Sequence, residues 1–244
     1  NVYTDSGAVY VWLGPIEGSH SATLGGDADL IFLVDQFRHM TGSILTAGDV
    51  DGDGYDELLV GTSARDSTST VSYLLDDGLA GLGIVTPETE GVTTLDGQTA
   101  MLLGDLNNDT YADGWIGDDA YEPTVNFIYG SEDGLEAVDD DLSFQIYCNS
   151  RSDYAFNGCG NQGLGERGDL DGDGFNDVVY FSDTGELSIL AGGSAGPTVP
   201  TGGFYTPGLG SDYGDVSFVA DITGDGLVDV VATYPIGNGD VDPF

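Results

Sequence analysis

AGDVDGDGYDELLVGT, residues 47–62, sets acidic side chains at Asp49, Asp51, Asp53 and Glu57, puts glycines at Gly52 and Gly54, and then turns apolar at Leu58-Leu59-Val60. The same order returns as LGDLNNDTYADGWIGD from Leu103, RGDLDGDGFNDVVYFS from Arg167 and VADITGDGLVDVVATY from Val219. Counted from the first aspartate of each copy, side-chain oxygens recur at positions 1, 3, 5 and 9. They are Asp105, Asn107, Asp109 and Asp113 in the second copy, Asp169, Asp171, Asp173 and Asp177 in the third, and Asp221, Thr223, Asp225 and Asp229 in the fourth. The copies lie roughly 50 to 60 residues apart, a period that signals a repeat architecture.

Short apolar runs keep fixed places around each copy. One precedes it: Ser43 to Thr46, Ala100 to Leu103, Val216 to Val219, and weakly Gly163 to Gly165. One follows it: Leu58 to Val60, Trp115-Ile116, Val178 to Tyr180, Val230 to Ala232. A third comes later, at Val71 to Leu75, Val125 to Tyr129 and Leu187 to Leu190, and a fourth is plain at Leu142 to Ile146. These runs are rich in β-branched and aromatic residues and are bounded by Gly, Asp or Pro, which reads as strands. No helical periodicity is sustained. Four short strands per unit predict an all-β fold, a β-propeller of four-stranded blades. Ala8 to Leu13 and Leu30 to Val34 read as the third and fourth strands of a unit without its acidic loop, and the last copy lacks its third and fourth strands. The expected organisation is a half blade over residues 1–42, blades over about 43–97, 98–160 and 161–212, and a half blade over about 213–244.

The acidic loops have the chemistry of calcium sites. Calcium is a hard cation that takes six to eight oxygens with loose geometry. Alternating carboxylates on a tightly turned chain can face one centre, and the backbone carbonyl of position 7, Tyr55, Tyr111, Phe175 or Leu227, adds a further ligand. Glycines at positions 4 and 6 permit the turn in the first, third and fourth copies, whereas the second has Asn108 and Thr110 there. An EF-hand needs a glutamate at position 12 and flanking helices. Position 12 here is Val60, Ile116, Tyr180 or Ala232, and strands follow. Up to four calcium ions are expected in unequal sites: the third loop has four aspartates and both glycines, the second lacks both glycines, and the fourth offers Thr223, a neutral and weaker ligand.

With phrases such as SGAVYVWLGP from Ser6, these loops and their L-L-V-G or V-V runs resemble FG-GAP repeats, the blade units of integrin-α-type β-propellers. The resemblance covers nearly the whole chain. It implies a propeller with calcium-holding loops near its bottom face and a role in adhesion, ligand binding or scaffolding, with some polysaccharide-active members. The incomplete end units, Thr110, Thr223 and the cysteine-containing insertion between the second and third loops depart from the pattern.

Composition narrows the partners. The chain has 244 residues, a formal net charge of -39, no lysine, and only Arg38, Arg65, Arg151 and Arg167 as strong cations. Phosphate contacts need Lys and Arg, so nucleic acid is excluded as a partner, and an anionic membrane surface equally so. No run is long and apolar enough to insert into a bilayer. Cys148 and Cys159 lie close together in a polar stretch without a CxxC motif, and an extracellular setting predicts a local disulfide between them.

Five other candidates are set aside. Gly192-Gly193-Ser194-Ala195-Gly196 matches a nucleophile elbow, but Pro197 follows where a helix must begin. Arg167-Gly168-Asp169 spells a cell-attachment tripeptide, but Asp169 opens the third loop. Asn108-Asp109-Thr110 is a glycosylation sequon inside the second loop. His20 and His39 are too few for a triad or a zinc site, and pairs such as Asp139-Asp140 are expected by chance in so acidic a chain.

The expected function is a secreted or cell-surface binding and adhesion module, not an enzyme. A glycan or protein ligand is expected on a propeller face, with aromatics such as Trp12 and Tyr154 as stacking surfaces. Two alternatives come from other classes. One is a structural surface or filament protein that self-associates through its half blades. The other is part of a polysaccharide-active enzyme.

Overall fold

The computed structural model describes residues 7–20, 26–34, 41–62, 71–96, 98–118, 124–137, 144–145, 164–181, 187–198, 215–219 and 221–233. Its strands, in chain order, are β1 Ala8–Val11, β2 Leu30–Leu33, β3 Thr41–Gly48, β4 Glu57–Thr62, β5 Val71–Leu75, β6 Gly83–Val85, β7 Val92–Asp96, β8 Gln98–Gly104, β9 Asp113–Asp118, β10 Thr124–Tyr129, β11 Glu136–Ala137, β12 Phe144–Gln145, β13 Leu164–Gly168, β14 Asp177–Phe181, β15 Leu187–Leu190, β16 Asp215–Val219 and β17 Asp229–Thr233. The protein is all-β, and no helix among the described residues is long and apolar enough to cross a membrane.

Among the described residues the strands form five sheets. β3-β4-β5-β7 is a four-stranded antiparallel meander over residues 41–96. β8-β9-β10 continues the pattern, and its fourth place is split between β11 and β12, which pair with opposite ends of β10. β13-β14-β15 and β16-β17 repeat the first three strands and the first two strands of the same order. Each acidic loop is the connection between a first and a second strand.

Sheets stack face to face, and this explains the doubly apolar runs. In an extended strand successive side chains leave opposite faces. Val60 pairs with Tyr73 and Leu59 with Leu74. Val60 and Tyr73 join Val9, Phe32 and Val85 in one buried cluster, between this sheet and the N-terminal one. Leu59 and Leu74 join Ala100, Leu102, Ile116 and Ile128 in a second, toward the next sheet. One residue along, Met101, Trp115 and Phe127 turn the other way and pack with Val178 and Leu190 of the third meander. The β3-β4-β5-β7 and β8-β9-β10 sheets are therefore each packed on both faces, and fully burying one of these large side chains contributes about 1.5–3 kcal/mol. The first strands of successive meanders follow one another in space as in sequence: β3 lies against β8, β8 against β13, and β13 against β16. Among the described residues no strand pairing joins the last sheet to the first, so no closed ring is described.

The N-terminal sheet differs from the expected half blade. β1 and β2 pair antiparallel, but the outer edge of β2 is covered by β6, which runs parallel to it with Ile31 opposite Ile84. β6 comes from the connection between β5 and β7. Period-two patterning does not reveal it, because Gly83-Ile84-Val85 is too short to show a period.

Candidate metal centres in the acidic loops

The four loops, residues 49–57, 105–113, 169–177 and 221–229, share one hydrogen-bonding plan. The first carboxylate grips the turn. Asp49 accepts from the N–H groups of Gly52 (2.7 Å) and Gly54 (3.0 Å), Asp169 from Gly172 (2.6 Å) and Gly174 (3.0 Å), and Asp221 from Gly224 (2.5 Å) and Gly226 (2.7 Å). The position-5 carboxylate accepts from the N–H of position 7: Tyr55 to Asp53 and Leu227 to Asp225 at 2.9 Å, Tyr111 to Asp109 and Phe175 to Asp173 at 3.0 Å. Side chains that bond the backbone a few residues on make tight Asx turns. Position 6 has φ between 84° and 94° in all four loops, a region open to glycine. Thr110 is the exception among its counterparts: a β-branched residue at φ 84°, held by its N–H bond to Asp105 (2.9 Å).

Position 9 closes each loop. Glu57 accepts from Val50 N–H (2.9 Å), Asp113 from Leu106 (2.7 Å), Asp177 from Leu170 (2.7 Å), and Asp229 from Ile222. Glu57, Asp113 and Asp177 are buried. Burial pushes Glu57 up to about 7, against the Val50 bond, and the charges of Asp51, Asp49 and Asp53 add to it. Burial likewise pushes Asp113 up to about 7, opposed by Leu106 and Gly130 and reinforced by Asp109 and Asp105. Asp177 is raised for the same reasons. The exposed Asp221 moves the other way, lowered first by the Gly226 N–H.

Loops one and three gather their carboxylates most closely. Oxygens of Asp49, Asp51 and Asp53 lie within 4.8 Å of one another, as do those of Asp169, Asp171 and Asp177. In loop two the Asn107 amide donates to Asp109 (2.8 Å). In loop four the Thr223 hydroxyl lies 3.4 Å from Asp221, as its donor. The position-7 carbonyls of Tyr55, Tyr111, Phe175 and Leu227 follow directly on the N–H groups bonded to position 5.

A feature not legible in any single loop is that loops one and two are each stitched to the next sheet. The carbonyl of Val50 accepts from Ser131 N–H (3.0 Å), while the neighbouring Gly130 N–H donates to Asp113 (3.1 Å). One sheet on, Leu106 carbonyl accepts from Gly193 N–H (3.1 Å), and Gly192 N–H donates to Asp177 (2.9 Å). The position-1 carbonyls are tied as well: Asp49 to Ala112 N–H (2.6 Å) and Asp105 to the Asn176 amide (2.9 Å). The signal in the sequence was the pair of turns after the third strands, Gly130-Ser131 and Gly192-Gly193. Gly192-Gly193-Ser194-Ala195-Gly196 is thus a docking turn. Asp169 of the Arg-Gly-Asp tripeptide is occupied by its own loop.

Trp12 stacks with Tyr10 at 6.0 Å, and His20 pairs with Asp27 at 3.0 Å, both away from the loops' hydrogen-bonding network. Cys148, Cys159, His39, Tyr154, Asp139 and Asp140 lie outside the described residues, as does most of the run Leu142 to Ile146.

Residues 41–75, which carry β3, loop one, β4 and β5, match the family model of the FG-GAP repeat. No curated protein matches the chain.

Proposed function

We propose that this chain, with its FG-GAP repeat, is a calcium-binding β-propeller segment that acts outside the cell as a binding and adhesion module, without catalytic activity of its own. The observation that carries the calcium reading is the burial of Glu57, Asp113 and Asp177 beside further carboxylates. With no lysine and four arginines against 43 acidic residues, the chain cannot offset its carboxylates one for one. Removing an unpaired carboxylate from water is costly unless a cation or a proton compensates it. The donor set is all oxygen, which suits calcium and not the softer metals. In each loop positions 1, 3, 5 and 9 would hold the ion with their side chains and position 7 with its carbonyl. The bound ion neutralises the cluster and so couples loop closure to folding. Loops two and four, with Asn107 and Thr223 at position 3, are the weaker sites.

The extracellular assignment rests on the FG-GAP resemblance and on calcium supply, since extracellular modules work at millimolar calcium. The adhesion role rests on the same resemblance. Stacked sheets rigidified at their loops present connecting turns on a fixed frame, which lowers the entropic cost of binding. Binding of the purified chain to a glycan array and to extracellular-matrix proteins, with calcium and then with excess chelator, tests the reading. Calcium-dependent retention on a defined ligand supports it. No retention on any surface, together with hydrolysis of a polysaccharide, overturns it in favour of an enzyme.

A further inference from the structure

A continuous line of hydrogen bonds runs through three of the acidic loops. Glu57 accepts from the N–H of Val50, and the carbonyl of Val50 accepts from Ser131. Gly130, next to Ser131, donates to Asp113. Asp113 also accepts from Leu106, whose carbonyl accepts from Gly193. Gly192, next to Gly193, donates to Asp177, which accepts in turn from Leu170. Each buried position-9 carboxylate is thereby connected to the next through one residue of its own loop and two residues of the following sheet's turn.

A second link acts on a ligand. The planar trans peptide between Tyr111 and Ala112 points its N–H at the Asp49 carbonyl, 2.6 Å away. Planarity then turns the Tyr111 carbonyl in the opposite direction, away from loop one. That carbonyl is the position-7 ligand of loop two. Polarisation by the bond to its N–H makes the oxygen a stronger acceptor, because hydrogen bonds in series reinforce one another. The ring of Tyr111 also seats on loop one: a methyl group at Gly52 would lie 2.6 Å from it.

We infer that loop one positions the ligands of loop two, so that calcium in one raises the affinity of the other, and that loop two does the same for loop three. The coupling rests on the calcium reading above. An ion drawing Asp49, Asp53 and Glu57 together fixes the Asp49 and Val50 carbonyls, and these fix Ala112, Ser131 and Gly130 around Asp113. With loop one empty, its mutually repelling carboxylates leave that frame free to shift. Loop two has the poorest turn, with Asn108 and Thr110 at positive φ, and so depends most on outside support.

The test is a calcium titration of the isotope-labelled chain followed by the amide resonances of Gly54 for loop one, Gly130 for loop two and Gly192 for loop three. Asp53→Asn weakens loop one directly. The expected result is a rise of about five-fold or more in the calcium needed to half-saturate loop two, the range of ordinary site-to-site coupling. Asp109→Asn should shift loop one by the same factor, since linkage is reciprocal. Ser131→Pro removes the N–H that bonds Val50 and should abolish most of the shift that Asp53→Asn causes, whereas Ser131→Ala, which keeps the N–H, should preserve it. Loop-two amides that titrate at unchanged calcium in Asp53→Asn overturn the coupling and leave the calcium reading standing. Amides that ignore calcium in the unsubstituted chain overturn both.

Discussion

The N–H of Gly192 and the buried carboxylate of Asp177 meet at 2.9 Å, across the turn that leaves the third strand of their sheet. The contact leaves no room for a side chain. A Cβ on Gly192 would collide with the Asn176 carbonyl and approach Phe175 Cβ to 2.8 Å. Gly192→Ala should therefore push the turn off loop three and cost about 1–3 kcal/mol, the usual penalty for overpacking. At Gly193 the nearest atom to such a Cβ is 3.6 Å away, so Gly193→Ala should change little. Urea denaturation of the two variants in calcium checks the contrast, and equal midpoints contradict it.

Thr110 predicts a gain. It holds φ 84° where the other loops have glycine. Thr110→Gly keeps the N–H bonded to Asp105 and relieves a strain of order 1–3 kcal/mol, offset in part by the greater freedom of glycine in the unfolded chain. The net expectation is a higher melting temperature and tighter calcium binding in loop two. A lower melting temperature in saturating calcium refutes it.

Calcium should stabilise the whole chain. Free ion at about 100 times the dissociation constant adds about 2.7 kcal/mol per independent site. Differential scanning calorimetry should show a large fall in melting temperature in excess chelator, restored by calcium. Asp173→Ala should lower both affinity and melting temperature more than Thr223→Ala. Asp173 is a charged ligand whose neighbours are already gathered, whereas Thr223 offers one neutral oxygen. An unchanged curve in chelator, or equal effects of the two substitutions, contradicts these expectations.

Acid should partly replace the metal. Glu57 and Asp113 are held up to about 7 by burial and neighbouring charge in the metal-free fold. A carboxylate raised above its unfolded value takes up a proton on folding. It stabilises most below its unfolded pKa, and that stability is lost as pH rises through its folded value. In chelator the melting temperature should therefore rise as pH falls from 8 toward 5. Glu57→Gln and Asp113→Asn should each flatten the slope. In saturating calcium the trend should reverse, because protons then compete with the ion. A flat profile in chelator defeats the prediction.

Much of this was legible in the amino-acid order because it is local. A carboxylate at alternate positions bonds N–H groups two to five residues away, so the four loops could be aligned and their turns placed without any tertiary contact. The short apolar runs Leu58-Leu59-Val60 and Val71 to Leu75, rich in β-branched and aromatic residues, likewise announced strands. The period of the repeat then grouped those strands into units.

Three things were decided only when distant segments met. β6 found its place beside β2 because an open strand edge needs hydrogen-bond partners, and a three-residue segment carries no pattern that would announce it. The split of the second sheet's fourth strand into β11 and β12 depends on what pairs with each end of β10. The stitching of one loop to the next depends on carbonyls of Asp49, Val50, Asp105 and Leu106, which are backbone atoms common to every residue. Sequence alone specifies where an acidic loop turns. Which neighbouring turn its backbone bonds is set by how the sheets stack, and that stacking is a property of the folded chain.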